Sequence, residues 1–189
     1  ARAVTGRFTL DRHRTGIFIH TTDTVENQNT DVVLERPRCL TLGVLLEGVM
    51  EFTLRGQRHH LQANDRVCCE LFAIVTATPE SLVRHVRRQR RLRKLLLTVE
   101  PSWIAQQTRY APELGQQLNA LLEDGSQCVR WPGDQDILAL AEKILRPAPT
   151  SPALQQLQAE YHAVELLEKA FRLREMEQTQ PGKLALERA

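Results

Sequence analysis

The sequence predicts an α+β protein in which an antiparallel β-barrel comes first and a helical segment follows. The barrel is organised around residues 39–70, where short apolar runs are separated by turn residues at Gly48, Gly56 and Asn64. Glycine in a two-residue break supplies the positive φ that a tight hairpin requires, so these runs predict strands joined by hairpins. No helix-length segment separates them, which is typical of an antiparallel barrel or sandwich.

The composition is that of an ordinary globular protein. The 189 residues are 42% hydrophobic and 25% charged, with a net charge of +2, which gives no overall attraction to nucleic acid or membranes. No apolar run approaches the roughly 20 residues that span a bilayer, and the amino-terminal residues lack the apolar core of a signal peptide. We therefore expect a cytoplasmic protein without membrane contact.

The sequence offers no catalytic or metal-ligand constellation. The four cysteines form no CxxC pair and have no histidine at zinc-finger spacing, which indicates reduced thiols. His59 and His60 are adjacent in a predicted strand, so their rings point to opposite faces, and Glu70 follows too late to join them. Neither Ser81 nor Ser102 lies in a nucleophile motif, and no glycine-rich phosphate loop is present. We therefore predict no catalytic residue, no metal and no cofactor.

Further strands are predicted on both sides of the central stretch. The segment Gly16 to Thr21 alternates, with Phe18 and His20 on one face. Together with the other segments, about eight or nine strands precede residue 100, enough to close a barrel or fill two facing sheets. These outer strand segments are 7–10, 16–21, 31–34, 82–87 and 92–99.

Helices are predicted after residue 100, where the period of the apolar residues changes. Pro101 stands at an allowed position in the first turn of a short helix. Apolar residues at helical spacing predict two more helices, 112–123 and 134–145, with a short extended piece between them. The segment RPAPTSP, 146–152, is rich in helix breakers and predicts a linker.

The longest predicted helix runs from Pro152 to about Gln178 and carries two apolar stripes. A helix that lies on one domain needs one stripe, so the second indicates a partner; burial among the chain's own helices is the alternative. The stripe that contains Ala163 and Ala170 suits close packing within the chain. We predict that the other stripe forms a homodimer interface of Leu157, Tyr161, Val164, Leu167 and Phe171.

An arginine-rich segment, RHVRRQRRLRK at 84–94, forms a predicted hairpin corner with seven Arg and Lys among eleven residues. Three interpretations remain open at this point. In the first, the corner is an exposed turn, whose long cationic side chains protect the sheet edges and stay solvated. The corner would otherwise be an anion-binding mouth of the barrel or a contact to a second domain. Direct DNA reading is disfavoured, because neither stacking aromatic residues nor a basic helix accompanies it.

The order of these parts resembles the amino-terminal half of AraC-type transcription regulators, and within them the subgroup of the pyochelin-siderophore regulator. The resemblance is carried by LTLGVLLEGVMEFTLRGQRHHL, RKLLLTVEPSWI and AEYHAVELLEKAF, and it extends over nearly the whole chain as a likeness of pattern and order. It implies a cupin-like β-barrel (a double-stranded β-helix, or jelly roll) at 1–100 and a helical dimerisation subdomain at 101–179. Residues 180–189 would link these to a helix-turn-helix DNA-binding domain that this chain does not contain.

The resemblance implies the sensor and dimerisation module of a bacterial transcription activator, with DNA contact only through the missing domain. Its barrel would bind a small organic effector, of which a ferric siderophore is one candidate. Two alternatives stay open: a metal-dependent cupin-fold enzyme, and a protein-interaction barrel that holds no ligand. A register shift of one residue exchanges the two faces of a strand, so Glu51 replaces Phe52 if the register differs. The candidate ligand-binding residues are Phe18, His20, Leu42, Val44 and Phe52.

Overall fold

The computed structural model describes residues 4–13, 15–63, 68–88 and 90–179. Within these residues the chain forms ten strands and four helices. In chain order they are β1 (Val4–Arg12), β2 (Ile17–Glu26), β3 (Thr30–Arg36), β4 (Cys39–Glu47), β5 (Val49–Leu54), β6 (Gln57–Gln62), β7 (Cys69–Thr76), β8 (Glu80–Val86), β9 (Arg91–Val99), α1 (Pro101–Tyr110), α2 (Pro112–Glu123), β10 (Gln127–Gly133), α3 (Gln135–Leu145) and α4 (Pro152–Thr179).

The strands form two facing antiparallel sheets. One sheet has six strands in the order β1-β2-β9-β4-β7-β10, and the other has four in the order β3-β8-β5-β6. The predicted α+β class, an antiparallel β-structure followed by helices, is confirmed, and its sheets form an open sandwich instead of a closed barrel. The short extended piece predicted between the second and third helices is β10, which pairs with β7 at the edge of the larger sheet.

Two of the predicted hairpin turns join β4 to β5 and β5 to β6. Gly48 has a φ of 92°, and a Cβ atom there would lie 2.0 Å from the carbonyl oxygen of Arg91, so glycine is required on both counts. At the second turn, Arg55 and Gly56 both have positive φ, as a tight hairpin between twisted strands demands. The predicted turn at Asn64 and the predicted linker at 180–189 lie outside the described residues.

The larger sheet separates two hydrophobic cores because its central strands are apolar on both faces. The outer face, which includes Ile17, Ile19 and Leu97, packs against the four helices. The inner face contributes Leu45 and Phe72 to the core between the sheets. Alternation along each strand sorts the side chains between these layers.

The helices are fastened to the larger sheet by packing and by specific polar contacts. Trp131 of β10 packs against Phe171 of α4 with ring centroids 5.7 Å apart, and its indole N–H donates to the Ala170 carbonyl oxygen at 3.0 Å. Arg93 of β9 donates to both carboxylate oxygens of Glu142 in α3, at 2.7 and 3.0 Å. Among the described residues, no helix is both long enough and apolar enough to cross a membrane.

Candidate functional site

A cluster of charged side chains lies inside the sandwich, on faces where alternation otherwise places apolar residues. Glu26 ends β2, Arg84 lies in β8 and Lys94 lies in β9; all three are buried, with at most 9% of each exposed. Arg84 donates to Glu26 Oε1 at 2.9 Å and to the carbonyl oxygens of Glu51 and His85 at 3.1 and 2.6 Å. The Arg84–Glu26 pair therefore joins the two sheets across the interior.

Lys94 is the member of this cluster without an ionic partner of its own. In the described part of the chain, its ammonium group contacts the Met50 Sδ atom at 3.5 Å, a weak acceptor, and forms no ion pair. Burial and, secondarily, the Arg84 guanidinium lower the pKa of Lys94 to about 7, against the opposing effect of Glu26. Two basic groups thus share one carboxylate, and the cluster has an excess of positive charge whenever Lys94 is protonated.

His20 of β2 extends the polar surface toward the edge of the sandwich. Its Nε2 atom lies 2.9 Å from the Thr22 hydroxyl, and its ring centroid lies 4.6 Å from that of Phe8. Burial, and secondarily the charge of Lys94, lower the pKa of His20 to about 4. The imidazole is therefore neutral near pH 7, where it can donate or accept one hydrogen bond without adding charge.

The edge of the sandwich nearest this cluster is open and apolar. Phe8 and Leu10 of β1 are register partners of Thr22 and His20, so their side chains point inward, yet they are 60% and 62% exposed. On the facing edge strand β3, inward-pointing side chains are similarly uncovered. The exposed inward-facing residues of β3 are Val32 (39%) and Leu34 (44%), register partners of Arg84 and Leu82.

This edge is a short distance from the charged cluster. Phe8 pairs with Thr22 and Thr22 pairs with Lys94, so two strand spacings, about 10 Å, separate the β1 and β9 backbones. Exposed apolar side chains beside a buried polar group form the kind of surface that binds organic molecules. We define Phe8, Leu10, Val32 and Leu34 as the open edge.

The predicted ligand-binding residues divide between the interior of the sandwich and the core beneath the helices. Phe18 and His20 point into the sandwich beside the open edge, and Phe52 is fully buried in the inner core, stacked on His59 at 4.9 Å. Leu42 and Val44 point the other way, into the core beneath the helices. The structure therefore brings Phe18 and His20 together but not Leu42 and Val44, because the register of β4 directs those two outward.

The predicted dimer stripe is similarly divided along α4. Leu157 and Tyr161 are 66% and 64% exposed, and Val164 is partly buried against the chain's own core. Leu167 and Phe171 are at most 1% exposed and belong to that core, so neither is available to a partner. The surroundings of α4 change along its length, so the first part of the stripe faces solvent and the second part faces the chain's own core.

The charged cluster was not among the predicted site residues, although β9 carries a signal for it. Leu92, Lys94 and Leu96 alternate on one face of that strand, and a lysine between two leucines on an inward face indicates a buried ammonium group. In the sequence, Arg84 and Lys94 are the two ends of the arginine-rich segment, so this signal is not separate from it. The structure shows that the two ends of that segment lie inside the sandwich.

The middle of the arginine-rich segment is exposed and paired with carboxylates. Arg87 and Arg90 lie within 3.8 Å of Glu51, and Arg91 lies 3.4 Å from both Asp23 and Glu47. These contacts favour the interpretation of the corner as a solvated turn. Residue 89 lies outside the described residues.

Among the described residues, no group of three His, Cys, Asp or Glu side chains is placed to hold a metal ion. His59 stacks on Phe52, while the ring of His60 lies 3.1 Å from Glu51. The two histidines therefore serve separate contacts within the smaller sheet.

Comparison with known proteins gives one family match. The family model described as the regulatory protein PchR N-terminal domain matches residues 5–186. No curated protein sequence matches the chain.

Several solved structures resemble the chain at low identity. An apo ToxT variant from Vibrio cholerae is 8% identical with a TM-score of 0.49, over 86% of this chain and 59% of that one. The AraC-like transcriptional activator CuxR is 11% identical with a TM-score of 0.45, over 85% of this chain and 52% of that one. The Cupin_2 domain of an XRE family regulator from Enterobacter cloacae is 11% identical with a TM-score of 0.39, over 53% and 99%. The chain thus spans little more than half the length of the ToxT and CuxR chains.

Proposed function

The chain belongs to the family of PchR N-terminal domains of regulatory proteins, and from this membership we propose that it is the effector-sensing and dimerisation module of a bacterial AraC-type transcription regulator. The module recognises a small organic molecule and catalyses no reaction. A separate helix-turn-helix domain of the same regulator contacts DNA, and two copies of the module bring two such domains together.

The buried, unpaired ammonium group of Lys94 is the observation that carries the effector-binding part of the proposal. A buried charge is costly unless it is paired, and the charged cluster holds two cations for one carboxylate. An anionic group of a ligand would supply the missing partner. The open edge would cover the apolar body of the same ligand, so the site suits an organic molecule with an apolar part and an acidic part. A ferric siderophore is one class of molecule that meets this description.

A ligand-free interaction domain is the alternative that a specific observation favours. Phe52 and Met50 of the smaller sheet pack with Phe72 of the larger sheet in the core between the sheets, as side chains do in barrels that hold no ligand. In that alternative the open edge contacts a protein, and Lys94 has no small-molecule partner.

Native mass spectrometry of the full-length regulator, purified without denaturation, tests the proposal. We expect the wild-type protein to retain a small organic acid, and Lys94→Met to lose it. The matched control is Lys169→Met, which removes an exposed lysine on α4. Absence of any retained molecule, together with an unchanged transcriptional response of Lys94→Met to culture extract, would favour the ligand-free alternative.

The exposed half of the α4 stripe supports the dimerisation part of the proposal. Leu154, Leu157 and Tyr161 are 44%, 66% and 64% exposed and recur at spacings of three and four residues, the spacing by which two helices interlock. We place the homodimer contact here, toward the amino-terminal end of α4. Leu167 and Phe171 hold the other half of the helix to the sheet.

A further inference from the structure

A cavity lies on the opposite side of the larger sheet from the charged cluster. It is a groove of about 550 Å³ between the outer face of β1 and β2 and the stretch from the end of α3 to the first half of α4. Cavities of about 300–1,000 Å³ are typical of small-molecule sites. Ile19, Ile144 and Leu145 contribute apolar side chains to its wall. We call it the helix groove.

Two histidines from different elements line the helix groove with unpaired ring nitrogens. His13, just before β2, is 8% exposed; its Nδ1 atom lies 3.5 Å from Glu160 Oε2, while its Nε2 atom has no hydrogen-bond partner among the described residues. His162 of α4 also has a buried Nδ1 atom that finds no such partner in the described part of the chain. Its closest ionic neighbour, Glu165 Oε2, is 3.7 Å away. Buried polar atoms are nearly always paired. Both nitrogens are covered by the protein, so pairing with a molecule in the groove requires the two rings to turn toward it.

The charged side chains around the helix groove favour an anion. Among the described residues that line it, Arg7, Lys143 and Arg146 are basic and only Asp11 is acidic. Glu160 lies beside the groove but is already hydrogen-bonded by Thr15. Converging cations with low-dielectric walls concentrate anions. Guanidinium groups also bind carboxylate, sulfonate or phosphate oxygens through paired hydrogen bonds.

We propose that the helix groove is a second ligand site, which binds a small organic anion between the sandwich and α4. Its apolar wall holds the body of the ligand, the basic residues hold the anionic group, and the His13 and His162 nitrogens pair with its remaining polar atoms. The site is separate from the effector site between the sheets, and the proposal does not depend on that assignment. Because α4 also carries the exposed Leu157 and Tyr161, a ligand here contacts the helix to which we assign dimerisation.

The test uses 8-anilinonaphthalene-1-sulfonate, an aromatic sulfonate whose fluorescence rises in apolar sites, titrated into the full-length protein near neutral pH. We expect saturable binding to the wild type. Arg146→Gln and His162→Phe should each weaken it about tenfold, the effect of losing one charge-assisted or buried hydrogen bond. Matched controls on the distant strand β6, Arg58→Gln and His60→Phe, should leave the affinity unchanged.

Two outcomes would overturn the proposal. One is an absence of saturable binding below about 1 mM, the range of the weakest specific ligands. The other is an affinity unaffected by Arg146→Gln and His162→Phe but lowered by Lys94→Met, which would locate the anion between the sheets and leave the effector-site assignment intact. Thermal unfolding checks that each variant is folded. If His162→Phe unfolds, the exposed Arg146 carries the test.

Discussion

Replacing Lys94 with methionine should stabilise the protein while removing its response to the effector. Methionine keeps most of the length of the lysine chain and can occupy the site beside Met50, but it brings no charge into the interior. Removal of Lys94 leaves Glu26 paired with Arg84 at 2.9 Å, so no carboxylate is left unpaired. The substitution therefore relieves a desolvated ammonium group without creating a new unsatisfied charge.

The pH dependence of stability gives the size of this effect. Folding lowers the pKa of Lys94 from its ordinary 10.5 to about 7, so between those values the unfolded chain binds more protons than the folded one. Stability then rises with pH through this window by about 1.4 kcal/mol per unit, and the cost of burial is fully present below pH 7. Over the whole window, the free energy of unfolding rises by at most about 5 kcal/mol. We expect a gain of a few kcal/mol in Lys94→Met at pH 7 or below.

Urea unfolding of both proteins between pH 6 and 10 measures this effect. The free energy of unfolding of the wild type should rise toward alkaline pH. That of Lys94→Met should be higher at pH 6 and should lack the part of the rise that Lys94 contributes. If Lys94→Met is less stable at every pH, or if both proteins show the same slope, then Lys94 is a satisfied core residue and the argument for its functional role fails. A gain in stability with a lost response is the pattern expected of a residue kept for binding.

Four other substitutions probe the dimer contact, the two hydrophobic cores and the buried ion pair. Leu157→Ala should dissociate the dimer in sedimentation experiments and leave the fold intact. Phe171→Ala should instead cost about 3–5 kcal/mol of folding stability through the cavity it creates. A monomeric wild type would contradict this placement of the interface. Gly43→Ala should cost about 1–3 kcal/mol in urea unfolding, because its Cβ atom would lie 2.0 Å from the Phe72 ring; unchanged stability would mean that the ring has room to move. Glu26→Gln should cost about 3–5 kcal/mol by leaving its buried arginine unpaired, and a loss below about 1 kcal/mol would show that water reaches the pair.

Strand positions were predictable from the sequence because residues that favour tight turns separate the β-runs. Gly48 and Gly56 both adopt the positive φ that a tight turn needs, so local chemistry alone located those hairpins. The change of period after Pro101 likewise located the helices. These signals act within a few residues and do not depend on how the sheets pack.

The face of each strand was not predictable in the same way. Leu42 and Val44 were assigned to the binding site, yet both face the helices, because β4 is apolar on both faces and its sequence does not distinguish them. The assignment of Leu167 and Phe171 to a dimer interface met the same difficulty, since the stripe on α4 is continuous in sequence but changes its surroundings halfway along. Which face of a strand or helix packs against which element depends on residues distant in the chain. An apolar residue does not by itself indicate which element it contacts.

Polar residues in apolar surroundings are more informative about function in this fold. Lys94 lies on an inward face between two leucines, and His162 lies on α4 next to the buried Ala163. Each is a position where an apolar side chain would satisfy packing at lower cost, so each points to a requirement other than folding.

The helix α4 is the element through which the proposed sites would act on one another. Its buried face, with Ala163 and Leu166, is fixed to the sheet, its exposed face carries Leu157, and His162 lies in the helix groove. A rigid helix cannot shift one face alone, so an anion held by His162 and Arg146 would change the position or mobility of the segment that bears Leu157. Ligand binding and dimerisation would then be thermodynamically linked, and the linkage is reciprocal: whatever a ligand does to the dimer, dimerisation must do to the affinity for that ligand.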